Sequence, residues 1–371
     1  MIPESHLSLD AIVERMTART RFAVIGGYLG AGKTTLMVGL ARYLKERHGK
    51  NVAIITNDQG HVLVDTKYAS EAGFDVREVM GGCFCSTFPE FVRNARSIVQ
   101  TSRPDVILAE PIGTSTNILS SVVEPLRAQY PEEFDVAPFL VVVDATRAAS
   151  LEGSKRLIPS HQVKEAEVVL LSKTDRLDAE GLERARTAVA ALAPDARIIP
   201  YSARTGKGVD DIASLTLSAE RSIKVLKSED HRKFAAEKSA MSWYSSTSKV
   251  SPSERVDLYD LATTVLRAAA DSFPPDDLAH VKVMITSPKV GAKMSLVADS
   301  VQTDGVRGSR YLGDEATLVV NARVMATPKR LGEVMRGAVE ALPSKFSLTV
   351  NDTTESCYSP RPETPMFISG L

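Results

Sequence analysis

The chain has 371 residues and contains little cysteine, no long apolar run and no excess of charge of either sign. Three cysteines exclude a disulfide-built scaffold, and Cys83 and Cys85, one residue apart, have poor geometry for a mutual disulfide. The longest apolar runs, 139–143 and 168–171, are far shorter than the roughly 20 residues of a membrane helix. A formal net charge of -1 predicts neither a nucleic-acid surface nor a membrane patch. We expect a cytoplasmic protein without a targeting segment.

The spacing of the apolar residues divides the chain into two parts. From residue 21 to about residue 217, β-branched runs alternate with amphipathic helical stretches, which predicts an α/β domain with a mostly parallel sheet and helices on both faces. The predicted strands are 21–26, 51–57, 75–80, 105–109, 138–144, 167–172 and 197–201, and the predicted helices are 33–48, 89–101, 115–130, 178–192 and 209–218.

A linker or boundary is predicted in the polar, serine-rich stretch at 221–249, and a second, smaller domain is predicted to start near Met241. Helices at 252–273 and 327–342, with strands at 280–286, 292–299 and 317–324, favour an α+β layer with one mostly antiparallel sheet. The predicted divisions are an N-terminal extension at 1–20, the α/β domain at 21–222, a linker at 223–240, the α+β domain at 241–345 and a loose tail at 346–371.

A glycine-rich turn, GGYLGAGKTT at residues 26–35, follows the first predicted strand. Gly27, Gly32, Lys33 and Thr34 match the phosphate-loop pattern G-x-x-x-x-G-K-[ST], and a plain connecting turn would not require that lysine and threonine. We expect Lys33 to pair with the β- and γ-phosphates and the Thr34 hydroxyl to bind magnesium. The residues predicted to contact the phosphates are Gly27, Leu29, Gly30, Ala31, Gly32, Lys33, Thr34 and Thr35.

The sequence SKTD at residues 172–175 indicates which base is bound. A carboxylate at Asp175 can accept hydrogen bonds from guanine N1–H and N2–H₂, a donor pair that adenine lacks, so GTP or GDP is the expected nucleotide. Ser172 and Lys173 complete an element similar to the NKxD of GTPases, and Ser202 and Ala203 in YSARTGKG stand where GTPases contact the guanine oxygen. An ordinary solvated strand end is the alternative interpretation.

With these residues, the chain resembles CobW-type proteins of the GTPase family that matures metalloenzymes, a family that includes the urease and hydrogenase nickel chaperones and the methylmalonyl-CoA mutase chaperone. The resemblance covers 21 to about 217 and rests on GGYLGAGKTT, GGCFC, ILAEPIG and SKTD. It implies a P-loop NTPase fold of the SIMIBI type. The second domain resembles the CobW C-terminal domain in layout only.

The cysteine loop, EVMGGCFCST at 78–87, corresponds to a metal-binding stretch with three cysteines in CobW-type proteins, but here the third is Ser86. Cys83 and Cys85 are therefore predicted ligands for zinc, cobalt or nickel, and a tetrahedral site needs two more. His61 is the candidate from TNDQGHVLVD, together with Asp58. Buried, structural cysteines and a surface histidine are the alternatives.

A switch is predicted in VILAEPIGTST, residues 106–116, which resembles the E-x-x-G switch of the family. The resemblance implies that Glu110 holds magnesium, that Gly113 contacts the γ-phosphate, and that Asp58 shares the magnesium. Lys33, Glu110 and Asp58 are the predicted catalytic residues. A charge at a helix start is the alternative role for Glu110.

These features predict a GTPase with slow hydrolysis that delivers a metal, or a metal-containing cofactor, to a client metalloenzyme or corrinoid protein, with a homodimer or the client completing the site. One alternative is a GTPase chaperone that gates a cofactor enzyme without carrying metal. Another is a P-loop kinase of a small metabolite, since the phosphate loop alone does not distinguish water from a hydroxyl acceptor.

Overall fold

A computed structural model describes residues 19–57, 73–79, 82–151, 156–360 and 365–367. The predicted extension at 1–20 lies almost entirely outside this part of the chain, as do Asp58 and His61. None of the helices in the described ranges is long and apolar enough to cross a membrane.

The first part of the chain is an eight-stranded parallel sheet. This confirms the predicted sheet type, and one short strand, Phe134–Val136, was not predicted. Its strand order is β3-β2-β4-β1-β6-β7-β8, with β5 pairing with β1 beside β6. The strands are β1 (Thr20–Gly27), β2 (Val52–Asn57), β3 (Asp75–Val79), β4 (Val106–Glu110), β5 (Phe134–Val136), β6 (Leu140–Asp144), β7 (Val168–Ser172) and β8 (Arg197–Pro200).

Helices cover both faces of this sheet. They are α1 (Lys33–His48), α2 (Phe88–Ser102), α3 (Glu124–Gln129, preceded by a π-helical turn at Leu119–Val123), α4 (Ala145–Ala148), α5 (Leu157–Glu165), α6 (Ala179–Leu192) and α7 (Val209–Leu217). Successive β1 residues point to opposite faces, so Phe22 and Val24 lie in one core and Ala23 and Ile25 in the other. Both cores thus anchor the strand that leads into the phosphate loop.

The second part is a six-stranded antiparallel sheet, which confirms the predicted sheet type. Its order is β13-β12-β11-β15-β9-β16. After α8 (Arg232–Ala240) the elements are β9 (Met241–Pro252), β10 (Val256–Asp257), α9 (Leu258–Ala270), β11 (Leu278–Thr286), β12 (Gly291–Val297), β13 (Ser300–Arg307), β14 (Tyr311–Leu312), β15 (Ala316–Met325), α10 (Pro328–Glu340), α11 (Leu342–Lys345) and β16 (Leu348–Tyr358).

Three sequence interpretations of this second part are wrong. The polar stretch assigned to a boundary contains α8 and much of β9, and the predicted loose tail contains the edge strand β16. The predicted helix at 252–273 begins only at Leu258, because the Asp257 carboxylate accepts hydrogen bonds from Tyr259 N (2.8 Å) and Asp260 N (3.3 Å) and caps the helix there. Serine-rich strands escaped prediction since one face of this sheet is polar.

Asn117 ties the segment that connects the two parts of the chain to the parallel-sheet part. It lies after β4 in a left-handed conformation (φ 60). Its amide Nδ2 donates to Glu229 O (2.8 Å), and its Oδ1 accepts from Glu229 N (3.0 Å). His161 Nε2 lies 2.9 Å from the same Oδ1. The Glu165 carboxylate accepts from Asn117 N (3.0 Å) and from Leu119 N (2.9 Å). Helix α5 and the segment before α8 therefore meet at one residue.

This buried network makes stability depend on pH. Burial raises the pKa of Glu165 to about 8, although the two backbone N–H donors act to lower it. The folded chain therefore binds a proton that the unfolded chain releases near 4.5, and stability falls as pH rises toward 8. Burial lowers the pKa of His161 and of His231 to about 4, so near pH 6.5 the unfolded chain binds protons that the folded chain does not, and these two histidines make stability rise with pH there.

We predict that the free energy of unfolding of the wild type falls by about 2 kcal/mol from pH 6.5 to pH 8 relative to that of Glu165→Gln, in which the contribution of Glu165 is absent. Urea unfolding followed by circular dichroism measures both slopes. Glu180→Gln, at an exposed ion pair with Arg184, is the matched control and should keep the wild-type slope. An unchanged slope in Glu165→Gln would show that Glu165 is ionised throughout.

Candidate nucleotide site

The phosphate loop connects β1 to α1, as the sequence predicts. At Gly27 (φ 134) a side chain would collide with the Val142 backbone oxygen, so β6 leaves room only for glycine. Gly32 (φ 98) precedes the first turn of α1, where the helix presents unpaired N–H groups and a partial positive charge. Lys33 and Thr34 in that turn are buried, with 6% and 5% exposure. This arrangement can hold an anion such as a phosphate.

Two residues of SKTD brace the loop from β7. The Ser172 hydroxyl donates to the Ala31 carbonyl (2.7 Å), and the Lys173 ammonium donates to the Gly30 carbonyl (2.8 Å). Lys173 also pairs with the Asp144 carboxylate (2.7 Å) at the end of β6. Two carbonyls of the loop are thereby paired with side-chain donors, which helps to fix the backbone conformation of the loop.

One carboxylate contacts both Lys33 and Thr34. Glu110 ends β4 with 8% exposure. Its Oε2 accepts a hydrogen bond from the Thr34 hydroxyl (2.8 Å), and its Oε1 lies 3.6 Å from the Lys33 ammonium. A hydroxyl and a carboxylate are hard oxygen ligands of the kind that Mg²⁺ accepts beside phosphate oxygens. The described residues therefore fit a magnesium ion at this point, with Thr34 and Glu110 as its protein ligands.

The predicted base-recognition residues lie together at the other end of the cavity. The Asp175 carboxylate accepts from the Ser202 hydroxyl (2.6 Å) and from Arg204 Nε (2.7 Å). Burial acts to raise the pKa of Asp175, but these two donors outweigh it and hold the pKa below its usual value. Asp175, Arg204 and Ala203 line the same cavity as the phosphate loop. An ionised carboxylate is thus available where a base would lie.

The predicted switch segment touches the phosphate loop directly. A side chain at Gly113 would come within 2.6 Å of Leu29, so the two segments approach at van der Waals distance. Gln162 on α5 donates to the Gly113 carbonyl (3.0 Å) and to the Ser115 carbonyl (2.7 Å). Sequence reasoning missed Gln162, because α5 mixes polar and apolar residues and was not predicted as a helix.

The cysteine loop differs from the prediction. Cys83 and Cys85 are joined by a disulfide, which corrects the expectation that residues so close in sequence would not pair. Asn57 at the end of β2 holds the loop: its amide donates to the Gly82 carbonyl (2.7 Å) and its oxygen accepts from Phe84 N (3.0 Å). In the described ranges no group of three His, Cys, Asp or Glu side chains could hold a metal. Asp58 and His61 lie outside those ranges.

Residues near the C-terminal end of the chain cover this loop. Met366 N donates to the Cys85 carbonyl (2.8 Å), and the Phe367 ring packs edge-on against Phe88 at the start of α2 (5.1 Å between ring centres). Both cysteines are accordingly buried, with 7% and 3% exposure.

The cavity is shared between the two parts of the chain. Its volume is about 480 Å³, and the phosphate loop, Glu110, Gly113 and Asp175 form one side of it. The antiparallel sheet forms the other side, with residues from five of its strands, β9, β11, β12, β13 and β15. The sequence offered no signal for this second side, since isolated charges in strands are also typical of solvated faces.

Comparisons with known proteins agree with this geometry. Residues 21–200 match the family model described as the CobW/HypB/UreG nucleotide-binding domain. The zinc chaperone CobW of Pseudomonas aeruginosa is 27% identical over 253 residues, which cover 59% of this chain and 66% of that protein. The zinc chaperone YeiR of Escherichia coli is 27% identical over 165 residues, 43% of this chain and 48% of that protein. The chain therefore spans between about half and about two thirds of these relatives.

Among solved structures, the Zn(II)-bound YjiA GTPase from E. coli aligns with 86% of this chain and 99% of that chain, at 17% identity and a TM-score of 0.39. The family match spans the phosphate loop, Glu110 and the SKTD element, all of which line the cavity. Residues 21–200 therefore form a nucleotide-binding domain of the CobW/HypB/UreG family.

Proposed function

We propose that this chain binds GTP with magnesium, hydrolyses it slowly and uses the GTP–GDP cycle to deliver zinc to a client metalloenzyme. The observation that carries the nucleotide half is the contact of Glu110 with both Lys33 and Thr34. It brings together a phosphate-binding cation, a magnesium-binding hydroxyl and a carboxylate at the mouth of a phosphate loop. The names of the relatives as zinc chaperones support the delivery half.

Hydrolysis needs little beyond this arrangement. Lys33 would pair with the β- and γ-phosphates, and the loop N–H groups would hold the phosphates in place. Magnesium at Thr34 and Glu110 would neutralise charge that develops on the transferred phosphoryl group. Asp58, predicted to share this role, lies outside the described residues. Water is the proposed acceptor: it would attack the γ-phosphorus as the bond to the GDP oxygen breaks, without a covalent enzyme intermediate.

The switch segment offers a path from the nucleotide to the second part of the chain. Gly113 packs against Leu29 in the phosphate loop, and Asn117, four residues later, holds the connection at Glu229. A γ-phosphate contact at Gly113 would therefore act on a segment that is fixed at its far end to the linker. Loss of that phosphate would remove this contact, so the position of Asn117 and of the segment leading to α8 could change.

The cysteine loop is the proposed zinc carrier in its reduced form. Reduction of the disulfide by external thiols, which are themselves oxidised to a disulfide, would free two thiolates that zinc accepts as ligands. His61 with Asp58 remain the candidates for the other two positions. Asn57 ends the strand that precedes Asp58, and it holds the loop through two hydrogen bonds. Metal binding at the cysteine loop would thus affect the chain that follows β2, through the contacts of Asn57.

A second candidate is the same GTPase acting as a chaperone that gates a cofactor enzyme, such as a corrinoid protein, without carrying metal. The joined cysteines and Ser86 in the third position favour it, because a disulfide supplies no thiolate. The two candidates share the nucleotide chemistry and differ only at the cysteine loop.

We predict that Asp175→Asn weakens GTP binding about tenfold or more and creates binding of xanthosine triphosphate. The asparagine Nδ2 would donate to the xanthine C2 carbonyl, whereas it would oppose the guanine N2–H₂. Calorimetric titration with both nucleotides measures the exchange. Asp195→Asn, at an exposed position before β8, is the control and should keep guanine preference. Unchanged GTP affinity in Asp175→Asn would remove Asp175 from the base site.

We predict that the reduced chain binds zinc and that Cys83→Ser/Cys85→Ser abolishes this binding, because two of the ligands are removed. Equilibrium dialysis with zinc, cobalt and nickel under reducing conditions is the measurement. Cys357→Ser changes the remaining cysteine, which lies on β16, and should leave binding intact. Equal zinc binding by the double variant and the wild type would reject the zinc carrier and leave the second candidate.

A further inference from the structure

The antiparallel sheet has two chemically different faces. One face is apolar and packs against α9 and α10 through residues such as Val283, Leu318 and Val320. The other face carries polar and charged residues, and it faces the nucleotide cavity. We use the term basic face for its three cations, Lys282, Lys293 and Arg323. A sheet that only needed a core on one side would leave its polar face in water.

The basic face is instead buried against the nucleotide-binding domain. Lys293 and Arg323 are each 3% exposed, and Lys282 is partly buried. Taking cations out of water costs several kcal/mol each and requires compensation by opposite charge and hydrogen bonds. Arg323 has structural partners in the Trp243 ring (4.2 Å) and the Tyr244 carbonyl (3.2 Å). Asp304 is the acidic residue that the sheet contributes to the cavity.

The sheet touches the phosphate loop at its centre. Gly30 has φ 76, and a side chain there would come within 2.9 Å of Val297 and 3.1 Å of the Ala279 carbonyl. Nearby, Arg176 donates to the Ser300 hydroxyl (2.9 Å). The end of β12 and the start of β11 therefore rest on the loop that would hold the phosphates.

The strand register gives the distances of two of these cations from the phosphate loop. Lys282 lies three residues beyond Ala279, about 10 Å along β11, and Lys293 lies four residues before Val297, about 13 Å along β12. Asn321 and Ser295 are the cross-strand neighbours of Lys282. All three residues line the cavity.

The charges of the cavity favour a polyanion. Seven lysines and arginines line it, against three acidic residues. Four of these cations belong to the nucleotide-binding domain and three to the sheet. A partly enclosed site, which holds less screening water, strengthens the attraction of such cations for phosphate compared with open water.

We propose that the basic face is the second half of the nucleotide site and that Lys282, supported by Lys293, contacts the terminal phosphate of a bound triphosphate. The inference rests on the proposed GTP binding and extends it: the sheet would distinguish GTP from GDP, because a diphosphate lacks the group that reaches it. GTP would then hold the two parts of the chain together, and hydrolysis would release that hold.

The test uses the full chain with magnesium and compares GDP with a non-hydrolysable GTP analogue by calorimetry. Lys282→Gln is expected to weaken binding of the analogue about tenfold or more while changing GDP affinity less than threefold, and Lys293→Gln to have a smaller effect. Lys282→Arg keeps the charge and should keep the preference. The matched control is Lys289→Gln, which should leave both affinities unchanged. Lys289 lies between β11 and β12 and forms an exposed ion pair with Asp314.

Trp243, the single tryptophan of the chain, reports on the same contact, since it is buried on the cavity side and stacks with Arg323. The analogue should change its emission more than GDP does, and Lys282→Gln should reduce that difference while leaving the nucleotide-free spectrum as in the wild type. Equal loss of GDP and analogue affinity, or no loss of either, would overturn the inference alone. Absence of binding of either nucleotide to the wild type would overturn the proposed function, and this inference with it.

Discussion

The conformation of the phosphate loop is the constraint on which the rest of the molecule depends. Its glycines permit backbone angles that side chains resist, but the contacts that fix those angles come from distant strands: Ser172 and Lys173 hold the Ala31 and Gly30 carbonyls. All strands of the sheet are parallel, so their carboxyl ends deliver such groups to one edge. A ligand site at that edge follows from the strand order alone.

The same edge brings separate chemical tasks within reach of one ligand. Glu110 faces the phosphate end, Asp175 the base end, and the switch segment at Gly113 lies between the loop and Asn117. The cysteine loop is held from β2 and covered by Met366 and Phe367. These contacts join segments that are far apart in sequence, which the proposed nucleotide-controlled delivery requires.

The sequence predicted the nucleotide-binding domain well because its signals are local. A glycine-rich turn with Lys33 and Thr34, and a strand ending in SKTD, each carry their chemistry within ten residues. Gln162 and Asn117 escaped because their roles arise from contacts across the fold. The cations Lys282, Lys293 and Arg323 escaped for the same reason: a strand with polar residues on one face does not reveal what covers that face. The serine-rich β9 was taken for a boundary because its cavity side needs no apolar residue.

In the proposed complex, a guanosine triphosphate lies between the phosphate loop and the antiparallel sheet. A crystal structure of the chain with magnesium and a non-hydrolysable GTP analogue tests this most directly. We expect the guanine against Asp175, the phosphates along residues 27–34 and the terminal phosphate facing Lys282. A nucleotide bound elsewhere, or bound with its base away from Asp175, would contradict this proposal.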